Sequence, residues 1–158
     1  MLTFIGEHSS KIDPKGRVSL PVQLKRQFGK PDEELRFVLK KSTFKPCLEL
    51  HPMDTWQFMM ERLTKKLNPV FNKQHNAFLT QFSKGTSEVS LDGLSRILIN
   101  KNLCDLAGFD KEIVFLGVGT VIELWDKQKY TSPECEMSQE DFENLAGEIF
   151  DADFNLYE

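Results

Sequence analysis

The sequence predicts an α+β chain made of two copies of one small β-rich repeat, with two amphipathic helices between them and a short helix near the end. Three observations lead there. Setting Ile12-Asp13-Pro14-Lys15-Gly16-Arg17-Val18-Ser19-Leu20 over Leu91-Asp92-Gly93-Leu94-Ser95-Arg96-Ile97-Leu98-Ile99 brings an Asp-x-x-x-Arg pair and its apolar neighbours into coincidence at an offset of 79. Each copy consists of short apolar or alternating runs bounded by Gly, Pro and Asp, which is how strands and turns read. The stretch between the copies instead repeats its apolar residues every three or four positions, the period of a helix.

The first copy reads strand, turn, strand, short helix, strand, strand. Asp13-Pro14-Lys15-Gly16 has the residues of a type I turn, with Asp first, Pro second and Gly fourth. Arg17-Val18-Ser19-Leu20 alternates like a half-buried strand. Pro21 suits the first position of a helix, Leu24 and Phe28 share one face, and Gly29 suits its C′ stop. Phe37-Val38-Leu39 and Leu48-Glu49-Leu50 read as strands around a loop with Pro46.

The second copy repeats this order. Asn100 is the expected N-cap, Leu103 with Leu106 or Ala107 the buried stripe, and Gly108 the stop. Ile113 to Gly119 and Thr120 to Trp125 form the last strand pair. Across the copies, Leu24 matches Leu103 and Gly29 matches Gly108; after short indels Phe37-Val38-Leu39 is set over Val114-Phe115-Leu116, Cys47-Leu48-Glu49-Leu50 over Val121-Ile122-Glu123-Leu124, and Trp56 over Tyr130. Landmarks recurring in one order mark a tandem duplication.

Between the copies, Trp56, Met59 or Met60, Leu63 and Leu67 fall on one helical face. After the break at Asn68-Pro69, Phe71, His75, Phe78 and Phe82 fall on another. Ser138-x-x-Asp141 resembles a capping box that opens a last helix with Phe142, Leu145 and Ile149 on one side. The chain therefore divides into a first repeat (1–56), inter-repeat helices (57–83), a second repeat (84–130) and an acidic C-terminal tail or helix (131–158).

Net charge is −4, but it is unevenly spread: residues 1–50 carry +4, 51–90 carry +2, 91–130 carry −1 and 131–158 carry −9. A basic body behind an acidic tail is compatible with a phosphate-binding face. No apolar run approaches the ~18 residues of a membrane span, and Met1 to Glu7 does not read as a signal peptide. Cys47, Cys104 and Cys135 lie far apart without a C-x-x-C, which fits a reducing cytoplasm better than a disulfide framework. His8, His51 and His75 read as surface or interface residues, and Cys47-x-x-x-His51 lacks further ligands for a metal. No phosphate loop, nucleophile elbow or paired-carboxylate motif is present, so neither an enzyme nor a cofactor is expected.

Asp13 through Gly29 is similar to the signature of the AbrB-type swapped-hairpin DNA-binding fold. Its doubling in one chain, with an Asp-x-x-x-Arg in each half, Phe4-x-Gly6 ahead of the first strand and Glu123-Leu124-Trp125 near the end of the second copy, resembles the MraZ family over roughly residues 1 to 150. The resemblance implies pseudo-symmetric intertwined hairpins in a β-barrel-like core and rings of protomers. It further implies a transcriptional regulator that binds short direct repeats in double-stranded DNA upstream of a cell-division and cell-wall gene cluster, in the cytoplasm and at the nucleoid. Lys15 and Arg17 match the DNA-contacting positions of the first motif, and Arg96 matches the arginine of the second. The second motif departs from the pattern with Ser95 in place of glycine, and it has Leu94 where the first copy has Lys15.

Arg17 and Arg96 each admit two readings. An arginine after a tight turn can bond the turn's own Asp and carbonyls, or it can reach phosphate or guanine with its planar fork. Asp13 and Asp92 read as turn anchors. Lys15, at a turn tip, is a phosphate candidate, and Lys11, Lys25 and Arg26 could extend the positive face. Two other functions remain in view. An antitoxin-like protein of the same fold would bind DNA and a toxin, and a stoichiometric small toxin in a pull-down would mark it. A structural ring without DNA binding would not show salt-sensitive retention on heparin.

Overall fold

The computed structural model describes residues 1–132, 136–155 and 157. Cys135, and Glu134 and Glu158 of the acidic 131–158 tail, lie outside the described residues. The strands are β1 (Glu7–Lys11), β2 (Arg17–Ser19), β3 (Arg36–Lys41), β4 (Leu48–Pro52), β5 (Ser87–Ser90), β6 (Arg96–Leu98), β7 (Glu112–Val118) and β8 (Val121–Asp126). The α-helices are α1 (Val22–Lys25), α2 (Met53–Lys66), α3 (Lys73–Ser83), α4 (Lys101–Ala107), α5 (Lys127–Tyr130) and α6 (Gln139–Ile149). No described helix is long and apolar enough to cross a membrane.

The strands pair antiparallel in a six-stranded sheet, order β1-β7-β8-β4-β3-β5, and a separate two-stranded ribbon, β2-β6. The two copies exchange strands: β1 of the first pairs with β7 of the second, and β5 of the second pairs with β3 of the first. Equivalent residues face each other at two points, Val18↔Ile97 in the ribbon and Glu49↔Glu123 in the sheet, so a pseudo-two-fold relation passes through both. The duplication read from the sequence is thus a structural one. Closure into a barrel, which the resemblance implies, is not shown by this pairing, in which β1 and β5 end the sheet.

Period-2 alternation decides which face is core. Phe37, Leu39, Leu48, Leu50, Ile113, Phe115, Ile122 and Leu124 are fully buried on one face of the sheet. They meet Val18 and Leu20 from the first copy's hairpin, Ile97 and Ile99 from the second's, and Leu24 and Leu103 from the short helices. Burial of each such side chain stabilises by about 1.5–3 kcal/mol relative to exposure. The ribbon is therefore held against the sheet by its inward residues, and its other side is left free.

The strand register corrects one alignment. By the partners Leu39↔Leu50 and Phe115↔Leu124, Phe37 and Leu39 are equivalent to Ile113 and Phe115, one residue away from the match drawn on the sequence. Both stretches are continuous apolar runs, so neither has the alternation that would fix parity, and a one-residue slip exchanges the faces. Smaller corrections follow from local chemistry. Pro21 is the N-cap of α1 and not its first residue. Leu106 is exposed while Ala107 is buried. Phe71 precedes α3, whose N-cap is Asn72, and is exposed; His75 Nδ1 accepts the Asn68 N–H at 2.9 Å, which holds the turn between α2 and α3.

The opposite face of the sheet carries a polar pair about the same axis. Glu49 Oε1 lies 3.1 Å from His51 Nε2, and Glu123 Oε1 accepts the Trp125 indole N–H at 3.0 Å. Trp56 packs its ring edge-on against His51 at 5.2 Å, and Tyr130 does the same against Trp125 at 6.0 Å. His51, expected at the surface or at an interface, is buried within the chain because its strand position faces α2. Cys47 is buried beside Val114 and Trp125, and that burial pushes its thiol up to about 12.

Candidate nucleic-acid interface

The two Asp-x-x-x-Arg turns have the same internal wiring. Gly16 N–H donates to the Asp13 carbonyl at 3.0 Å, closing the turn. Asp13 Oδ1 accepts the backbone N–H groups of Lys15 and Arg17, each at 2.9 Å, and Oδ2 accepts Arg17 Nε at 2.7 Å. In the second copy Ser95 N–H donates to the Asp92 carbonyl at 3.0 Å; Asp92 Oδ1 accepts from Leu94 and Arg96 N–H, each at 2.9 Å, and Oδ2 accepts from Arg96 Nε at 2.8 Å. The Arg17 backbone bond, above all, holds the Asp13 carboxyl below its ordinary range, and the Arg96 backbone bond does so for Asp92.

This wiring joins the two readings of the arginines. Only Nε is spent on the carboxylate. Among the described residues the terminal Nη atoms of Arg17 and Arg96 make no protein hydrogen bond, and the side chains are 37% and 28% exposed. The aspartate fixes the plane of each guanidinium and leaves the outer edge of its fork available. Such an edge can take an acceptor pair.

Alternation then sorts the ribbon. Val18 and Ile97 point inward, whereas Arg17, Ser19, Arg96 and Leu98 point outward. Register places Arg17 across from Leu98 and Ser19 across from Arg96. Lys15 is exposed at the tip of the first turn, and Lys11 is exposed at the end of β1 just before it. The fold thus brings Lys15 and Arg17 to one end of the ribbon and Arg96 to the other, while Lys11, next to the Ile12 that bridges Val18, lies on β1 level with Ser19. Lys25 does not join them: its Nζ lies 3.2 Å from Asp32 and 3.0 Å from Ser95 Oγ, which also bonds Asp32. The outward roles of Ser19 and Leu98 went unread in the sequence, although alternation from Arg17 and from Arg96 contains them.

The tips differ in one respect. Gly16 has φ +88, and a Cβ there would stand 2.3 Å from the Ile99 carbonyl oxygen, whose own N–H donates to Gly16 O at 2.8 Å. The equivalent Ser95 has φ 58, and its carbonyl accepts Leu20 N–H at 3.1 Å. Each turn is thereby clamped to the strand end of the other copy.

Comparison with known proteins agrees with the duplication. The family model described as the MraZ protein, which its description also likens to antitoxins, matches the chain twice, over residues 3–81 and 82–153. A protein of Christiangramia forsetii named Transcriptional regulator MraZ is 40% identical, across 97% of this chain and 96% of its own length. Same-named proteins of Flavobacterium psychrophilum and Clostridium beijerinckii are similar too. The first is 40% identical over 94% of this chain and 92% of its own. The second is 36% identical over 94% and 97%.

Proposed function

This chain belongs to the MraZ family of transcriptional regulators, and we propose that it regulates transcription by binding double-stranded DNA through the outer face of the β2·β6 ribbon. One observation carries this reading: both arginines of the ribbon are held by their turn aspartates through Nε, with the terminal nitrogens making no hydrogen bond among the described residues, on a two-stranded element of the kind that fits a major groove. Arg17 reads a base, Lys15 and Lys11 hold phosphate, and Arg96 serves the second end of the same ribbon. The DNA is a set of short direct repeats upstream of a cell-division and cell-wall gene cluster, bound in the cytoplasm at the nucleoid by a closed ring of protomers. The family is one of regulators and not of enzymes.

Phe58, Phe71 and Phe78 on and beside the inter-repeat helices, together with Val70, are exposed and supply apolar surface for ring contacts. Light scattering that gave a stable monomer at micromolar concentration would remove the ring from this account. The site is tested by binding to duplexes carrying one, two or three repeats, beside a melting curve. Arg17→Ala is expected to lose about 1–3 kcal/mol at each occupied repeat with the ring intact. Lys15→Ala is expected to weaken all sequences alike and to flatten the salt slope. Wild-type affinity in Arg17→Ala, or a loss traced to dissociated rings, overturns the assignment.

A further inference from the structure

Two identical copies about a two-fold axis would present a symmetric surface, and a symmetric reader matches a palindrome. This ribbon is symmetric in its fold and not in its outward chemistry. Val18 and Ile97 are equivalent, as are Arg17 and Arg96 with their aspartates. The two remaining outward pairs break the symmetry: Lys15 corresponds to Leu94, which is 70% exposed, and Ser19 corresponds to Leu98, which is 57% exposed. Neither leucine is among the residues that form or pack against the buried core.

Leu98 is the more informative of the two. It is the cross-strand partner of Arg17, and partners across an antiparallel pair hold their Cβ atoms about 4.5–5.5 Å apart. Whatever base edge the Arg17 fork meets, Leu98 meets a group next to it. On the major-groove edges the C5-methyl of thymine is the one alkyl group, the feature on which an apolar side chain packs. The equivalent neighbour of Arg96 is Ser19, whose hydroxyl can bond either kind of polar edge.

We propose that Leu98 is a specificity-determining residue that packs on a thymine methyl beside the base read by Arg17, so that each ribbon reads its site in one direction. This rests on the reading of the ribbon as the DNA-binding surface. A directional reader is what a repeat laid head-to-tail requires, since each copy of the repeat must be met in the same orientation.

The test uses the full chain and duplexes that the wild-type protein enriches from a randomised pool. In an enriched duplex carrying one repeat, each thymine is replaced in turn by uracil, which removes only the methyl group. For wild type, uracil at one position is expected to weaken binding about fourfold, the loss of one buried methyl group's transfer energy. Leu98→Ala is expected to bind the thymine duplex about as weakly as wild type binds that uracil duplex, and to show no further loss on uracil substitution. Arg17→Ala keeps the uracil effect at that position. Because Leu98 is exposed, Leu98→Ala should melt as wild type does. Enriched duplexes with no uracil-sensitive thymine, or equal sensitivity in Leu98→Ala, overturn the inference alone. A change of assembly state in Leu98→Ala, read by light scattering, does the same by making Leu98 a subunit contact. A pool from which wild type enriches nothing overturns the DNA-binding reading, and this inference with it.

Discussion

Gly16 offers the most direct test of how the turn is clamped. In Gly16→Ala the new Cβ stands 2.3 Å from the Ile99 carbonyl oxygen, a backbone atom that cannot swing aside as a side chain would. The backbone there also has φ +88, where a residue with a Cβ costs about 1–2 kcal/mol. Relieving the contact means moving the Ile99 peptide away from Gly16 O, which stretches the 2.8 Å bond from Ile99 N–H and forfeits about 0.5–1.5 kcal/mol. Together these put the loss at roughly 1.5–3.5 kcal/mol. For a chain of 158 residues that is a fall in melting temperature of roughly 3–14 °C, at about 2–4 °C per kcal/mol. Gly29→Ala is the internal control: its φ is 65 and nothing lies within 4 Å of the added Cβ, so only the backbone strain remains. Thermal melts of the two variants side by side decide the matter. If Gly16→Ala melted no lower than Gly29→Ala, the clamp between the first turn and the Ile99 strand end would not be contributing what the geometry assigns to it.

Two further outcomes follow from charge. The carboxyls of Asp13, Asp32, Glu49 and Asp92 all sit below their ordinary values of 3.8 for aspartate and 4.5 for glutamate. At Glu49 burial works upward, and the His51 bond and nearby Lys40 outweigh it. A carboxyl depressed in the folded state stabilises fully above its unfolded value and loses that contribution as pH falls through the folded one; the melting temperature should therefore decline from 4.5 downward, and a melting temperature flat to well below 3.8 would contradict the network. Removing residues 134–158 deletes nine acids and no Lys or Arg, turning the net charge from −4 to +5; non-specific DNA binding should tighten and its salt dependence steepen, and unchanged low-salt affinity would show that the tail does not compete with the basic face.

Where a residue type has one local use, the sequence was legible. Asp13-Pro14-Lys15-Gly16 can hardly be other than a turn, and Gly29 and Gly108 do occupy the left-handed position at their helix ends. Asn100 and Ser138 do cap α4 and α6 through side-chain bonds to Leu103 and Asp141 N–H. The failures lie where only long-range pairing carries the information. Phe37-Val38-Leu39 has no polar residue to mark its outer face, so its parity waits on Leu50 and Pro52 across the sheet. Lys25 looks like one more surface cation until Asp32 and Ser95, distant in sequence, are brought to it. His51 sits next to the sheet's polar pair because Glu49 is two residues earlier on the same strand face and Trp56 returns over it at the start of α2. At the candidate site, sequence reasoning found the charges and missed Ser19 and Leu98, since neither is chemically conspicuous until the ribbon pairs them with the arginines.

The size of the ribbon bears on how it could act in regulation. Its outward face is two residues on each strand, with two arginines among them and one lysine at a turn tip, too few phosphate and base contacts for tight binding by a single protomer. A clamp that fixes each turn to the other copy's strand end removes flexibility that would otherwise be lost on binding. Rigidity alone raises affinity only modestly, whereas linking rigid ribbons at a fixed spacing makes each later contact intramolecular, a gain of about 10²–10⁴ where the spacing matches the DNA and none where it does not. On the proposed reading, selectivity then has two separable sources. The outward residues Arg17 and Leu98 choose the base sequence, and the assembly chooses the interval between repeats. A duplex with correct repeats at a wrong interval should accordingly bind no better than one repeat, while a wrong base at a correct interval should weaken every occupied ribbon by the same factor.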